Sequence, residues 1–136
     1  MSESESESNP AIVVVDADPT SRNAAEDLED ELDRPIIAID SMEFDVEASE
    51  EILGAGVFVI CWDLEIRSGA DLVEEIRRHE DLAERTILVA FEEPTPERVR
   101  AAMWLGADGV CMKPYDAAEI QARLERLDAT REAQAA

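Results

Sequence analysis

Gly106-Ala107-Asp108-Gly109-Val110-Cys111-Met112-Lys113-Pro114-Tyr115 decides the reading of this chain. It reads as a turn, a short strand and a Lys-Pro dipeptide at the strand's end. Lys113 is the single lysine, beside eleven arginines. A proline restricts the residue before it to extended conformations. The ammonium is therefore presented from the last residue of a strand, on a backbone with little freedom. A compact point charge held this way suits a fixed anion. Taken alone, the stretch fits a solvent lysine before a turn equally well.

Two further strand ends carry charge. The run Ala11 to Val15 is followed by Asp16 and Asp18, and the run Val57 to Trp62 by Asp63. In open α/β sheets, ligands bind outside the carboxyl ends of the strands, where strand order switches. Two carboxylates and one ammonium converging there would make a site for a divalent metal and an anion.

The intervening segments supply helices. Asp18-Pro19 and Thr95-Pro96 pair a capping residue with proline at the first helical position. Ala25, Leu28 and Leu32 follow the first start at helical spacing, and Pro35 closes the linker to a second strand, Ile36 to Ile39. A second helix is predicted from Val46 to Leu53, ended by Gly54. A third runs from Ala70 to about His79 with Leu72, Val73 and Ile76 inward. The fourth strand is Thr86 to Phe91, and the fourth helix reaches Leu105 and stops at Gly106. The fifth strand is Gly109 to Met112. Asp116 and Glu119 have capping-box spacing before the last helix, whose inward stripe is Ile120, Leu124 and Leu127. Strands alternating with helices predict a parallel sheet covered on both faces.

Composition bounds the function. A chain of 136 residues is one domain with a core large enough to need no disulfide. Residues 1–10 read as a disordered acidic tail, 11–128 as the folded domain, and 129–136 as a fraying end with no output domain after it. No segment resembles a secretory signal or a membrane span, which places the protein in the cytoplasm. Cys61 and Cys111 lie in apolar strands as small buried hydrophobes. The net charge of −22 argues against nucleic acid and against anionic membrane surfaces. Such acidity, with arginine in place of lysine, fits a protein adapted to high salt; the alternative is a basic partner on one face. The chain is read as a non-enzyme. No serine, cysteine or histidine constellation supports a hydrolase, His79 sits at a helix end, and no glycine-rich phosphate loop follows the first strand.

With these residues in place, the chain resembles the receiver domain of two-component response regulators over roughly residues 11 to 128. The likeness is carried by Gly106 to Gly109 with Lys113-Pro114-Tyr115, by Val15-Asp16-Ala17-Asp18-Pro19, and by the run Ser68 to Arg77. The resemblance implies an α/β fold, a doubly wound five-stranded parallel sheet of order 2-1-3-4-5 with helices on both faces. It implies that Asp63 accepts a phosphoryl group from a histidine kinase, a nucleophilic carboxylate forming an acyl phosphate. Mg²⁺ would be held by Asp16, Asp63 and Glu65, the last through its backbone carbonyl, and Lys113 would supply fixed positive charge. A downstream protein would dock on the face of the fourth helix, fifth strand and fifth helix, where Met103 and Trp104 are candidates for exposure.

Four positions depart from the family's pattern. Ala17 replaces the second acidic metal residue, which predicts weak metal binding, with Asp18 or Glu65 as substitutes. The loop after Asp63 is two residues short and lacks a proline. Matched without a gap, Cys61 or Trp62 would stand at the acceptor place; Asp63 is preferred because a carboxylate at a strand's end can be wet. Phe91 stands where the family has a hydroxyl, and Val110 where it has a switch aromatic. These departures keep open the alternative of a pseudo-receiver, a protein-interaction module that signals without phosphorylation.

Overall fold

The computed structural model describes residues 10–45, 49–64 and 67–135. Five strands are present: β1 (Ile12–Val15), β2 (Ile36–Ile39), β3 (Val57–Cys61), β4 (Thr86–Phe91) and β5 (Gly109–Met112). All pair in parallel in the order β2-β1-β3-β4-β5, as the resemblance implied. The helices are α1 (Pro19–Glu26), α2 (Glu50–Leu53), α3 (Gly69–Arg78), α4 (Pro96–Leu105) and α5 (Ala117–Ala135), with a helical turn at Glu29–Leu32 after α1.

The strands alternate between two cores, because successive side chains point to opposite faces. Val13, Val15, Phe58, Ile60, Ile87 and Val89 pack with Leu72, Val73 and Ile76 of α3 and Ala102 of α4. Ile12, Val14, Val57, Val59, Leu88 and Ala90 pack with Ala25 of α1 and Ile120 and Leu124 of α5. The central strands are buried on both faces, which is why they read as unbroken apolar runs.

The local starts follow the residues that encode them. The Asp18 carboxylate accepts from the N–H groups of Thr20 and Ser21, with Pro19 opening α1. Thr95 Oγ1 accepts from Arg98 N–H ahead of α4. Gly106 ends α4 at φ +125°, a left-handed conformation that favours glycine. Just beyond it, the Arg77 guanidinium donates to the carbonyls of Ala83, Arg85 and Gly106 and pairs with Asp108 at 2.9 Å. This one side chain ties the α3–β4 and α4–β5 connections together below the sheet.

Three details differ from expectation. The helix predicted from Val46 begins, among the described residues, at Glu50, where Ser49 Oγ caps Ile52 N–H; residues 46–48 lie outside them. The capping box at Asp116 is half made. Asp116 accepts from Glu119 N–H, but the Glu119 carboxylate turns back to Met112 N–H, the exposed end of the edge strand. The chain from Ala129 to Ala135 continues α5 instead of fraying. Arg131 holds this last stretch down by donating to Thr86 Oγ1 at 2.8 Å and lying 3.6 Å from Asp108.

Candidate functional site

The short loop after β3 shapes the carboxyl end of the sheet. Gly69 opens α3 directly against β3: a Cβ there would lie 2.7 Å from the Cys61 carbonyl oxygen and 2.8 Å from Trp62 Cα. Only glycine permits this approach. Trp62 follows the strand and packs its ring against Phe91, with centroids 5.7 Å apart. Asp63 is the next residue, and its carboxylate is half-exposed. The wet carboxylate and the packed tryptophan thus occupy the places their chemistry suits.

A cleft of about 350 Å³ opens here, lined by Asp16, Ala17, Asp18, Cys61, Asp63, Glu92 and Lys113 among others. Register places the Asp16 side of β1 beside the Cys61 end of β3, since Val15 pairs with Ile60. Lys113 is set from β5 by its N–H bond to the Phe91 carbonyl. Its ammonium reaches Asp16 Oδ2 at 2.8 Å. Glu92 lies further away at 3.7 Å, and Cys61 Sγ at 3.8 Å.

Asp16 is 1 % exposed and fully engaged. Its Oδ2 also accepts from Tyr115 Oη at 2.7 Å, and its Oδ1 from Asp18 N–H at 2.9 Å. A buried carboxylate is tolerated only when paired and hydrogen-bonded, and these three donors meet that condition. Burial works to lower the Lys113 pKa; the hydrogen bond and charge of Asp16 outweigh it, so the net direction is up. Burial, with the Asp16 charge, drives the Tyr115 hydroxyl far above its ordinary value, so it stays a donor. Burial likewise raises both thiols, Cys111 up to about 12. Tyr115→Phe removes one hydrogen bond to a charged group and is expected to cost about 1.5–3 kcal/mol. Urea unfolding measures it; an unchanged midpoint would show the hydroxyl contributes nothing.

The site residues divide accordingly. Asp16 and Lys113 meet, as the strand ends predicted. Asp63 lines the same cleft but has a different cation: Arg98 Nη1 stands 3.7 Å from its Oδ2. Glu65 lies outside the described residues. Ala17 brings no oxygen, and Asp18 is a helix cap whose carboxyl is held below its ordinary range chiefly by the Ser21 hydroxyl. No group of three His, Cys, Asp or Glu side chains among the described residues is arranged to hold a metal. The donors are hard oxygens, which Mg²⁺ prefers. Even so, with both Asp16 oxygens committed and Asp63 facing Arg98, the described set does not fit that ion.

The sequence reading assigns Tyr115 no role, although it stands in the decisive stretch, and does not single out Arg98. The only signal for Arg98 was its place three residues after the Thr95 cap.

This sheet order, with charged residues at the carboxyl ends of β1 and β5 around one cleft, matches the fold of response-regulator receivers. Solved structures agree with it. The chain matches the chemotaxis response regulator CheY4 of Vibrio cholerae with TM-score 0.75 and 18% identity, over 87% of this chain and 98% of that one. It matches a response regulator receiver protein from Pseudomonas putida with TM-score 0.72 and 21% identity, over 87% and 97%. The Mn²⁺-bound form of the response regulator Rcp1 is similar at TM-score 0.64 and 15% identity, over 81% and 85%. In sequence, the chain is similar to the chemotaxis protein CheY-3 of Vibrio cholerae, at 29% identity over 66 residues. That match covers 48% of this chain and spans about half the length, 51%, of the relative. No protein-family description matches the chain.

Proposed function

We propose that this chain is a divergent receiver module of two-component signalling that accepts a phosphoryl group on Asp63 from a histidine kinase and signals by protein contact. The observation that carries this reading is the Asp63 carboxylate, half-exposed on the rim of a cleft at the carboxyl end of a 2-1-3-4-5 sheet. A nucleophile must be reachable by a donor as bulky as a phospho-histidine, and of the cleft's two strand-end aspartates Asp16 is buried. The output face is α4, β5 and α5. Val99, Met103, Val110 and Leu127 line a groove there of about 310 Å³, and Trp104 is 89 % exposed beside it. The module is not an enzyme acting on a free metabolite, and its acidity suits a cytoplasm at high salt. No helix among the described residues is long and apolar enough to cross a membrane.

Incubation with acetyl phosphate, followed by intact-mass measurement at high salt, tests the reading. We expect a gain of one phosphoryl group that is absent in Asp63→Asn, with parallel arms with and without Mg²⁺ reporting the ion's part. No gain at any Mg²⁺ concentration would reject Asp63 as acceptor. A second reading, the phosphorylation-independent interaction module, draws on one observation: Lys113, Tyr115 and Asp18 already use both oxygens of Asp16.

A further inference from the structure

A phosphoryl group on Asp63 needs a cation, and the chain's lysine is already committed. Lys113 Nζ is 2.8 Å from Asp16 and its side chain is 6 % exposed. Phe91, at the end of β4, has no hydroxyl to offer. Arg98 is the cation that stands beside Asp63, at 3.7 Å, with a partly exposed side chain. It belongs to the first turn of α4. Its backbone N–H is fixed by the Thr95 cap, and its Nη1 also donates to the Glu93 carbonyl at 3.3 Å. The cap fixes the main chain at Arg98, and the Glu93 carbonyl holds the guanidinium near the acceptor.

We infer that Arg98 binds the phosphoryl oxygens formed on Asp63, and so couples the acceptor to α4 without the hydroxyl and the aromatic that Phe91 and Val110 replace. This rests on the reading that Asp63 is phosphorylated. In the transfer, an Asp63 carboxylate oxygen forms a bond to phosphorus. The donor's bond to phosphorus breaks, and its electron pair leaves with the imidazole nitrogen or, for acetyl phosphate, with acetate. A carboxylate of charge −1 becomes a group of about −1.5 to −2 with three acceptor oxygens. A guanidinium presents a planar fork that matches two such oxygens at once. The group also extends outward from Asp63, across the gap that now separates the carboxylate from Nη1. Accommodating it shifts the guanidinium and, through it, the first turn of α4, and the same helix carries the exposed Met103 and Trp104.

The test compares wild type with Arg98→Ala and Arg98→Lys under acetyl phosphate. Intact mass gives the rate of phosphorylation, and hydrogen exchange of peptides spanning residues 96–105 gives the response of α4. Thermal midpoints control for folding; the side chain is 43 % exposed, so all three proteins should match. Arg98→Ala is expected to phosphorylate about tenfold or more slowly, the scale of losing one charge-stabilising donor. Its α4 exchange should no longer change once Asp63 is modified, and Arg98→Lys should recover part of the rate. Wild-type rate and wild-type α4 response in Arg98→Ala would overturn this inference while leaving Asp63 as acceptor. No phosphorylation of wild type would overturn both, which separates the two failures.

Discussion

Lys113→Met is expected to destabilise the fold by about 3–5 kcal/mol, because it strands the Asp16 carboxylate in a site 1 % exposed. Tyr115 and Asp18 still donate to that carboxylate, but neither carries a charge. The double substitution Asp16→Asn with Lys113→Met removes both charges and should recover much of the loss, since a buried pair is costly to break and cheap to replace. Urea unfolding of the two single variants and the double variant closes the cycle. If Lys113→Met unfolds at the wild-type midpoint, the pair is not holding the sheet edge. The pH dependence has a definite sign. The folded pKa of Lys113 is raised above its ordinary 10.5. Its contribution is therefore complete below that value and lost only as pH rises through the folded pKa. Between pH 6 and 9 Lys113 adds no slope to the stability curve.

The second large effect is from salt. At −22, the compact chain repels itself, and the repulsion falls as the Debye length shrinks from about 10 Å at 0.1 M to about 3 Å at 1 M. Raising KCl from 0.1 to 2 M should lift the thermal midpoint by about 10 °C or more, corresponding to roughly 2–3 kcal/mol for a domain of this size. A flat or falling midpoint would show that the acidic surface carries no net repulsive cost, and the high-salt reading would be abandoned. The buried Asp16–Lys113 pair should contribute the same at both salts, because groups out of water are screened far less.

The fold was legible because its strands are two-faced. Unbroken runs such as Val57 to Cys61 suit strands buried on both faces, and Asp18-Pro19, Thr95-Pro96 and Gly106 punctuate the helices between them; the order of the strands came from the family resemblance. The pairing of Asp16 with Lys113 followed from where those strands end. What stayed hidden depended on distances that local pattern does not encode. Asp63 follows β3 and Arg98 lies in the helix after β4, and a lone arginine on a helix's first turn looks the same whether or not it has a partner. Glu119 has capping-box spacing, yet the edge strand's free N–H at Met112 competes for its carboxylate and wins. The end of α5 is polar in sequence, and Arg131 there is anchored by a residue of another βα unit, Thr86.

The buried cluster at the carboxyl end of the sheet also has a place in the order of assembly. Tyr115 and Asp16 are separated by 99 positions in the chain. As the polypeptide leaves the ribosome, β1 emerges before β5, carrying an aspartate two of whose three partners, Lys113 and Tyr115, are not yet made. β2, β3 and β4 can all dock before β5 exists, each closing a loop at its own entropic cost. Only the arrival of the last βα unit brings Lys113 and Tyr115 to Asp16. Until then the carboxylate must remain hydrated, so the top of the nascent sheet stays open to water. A chain cut before β5 would lack Lys113 from the cleft and both distant partners of Asp16.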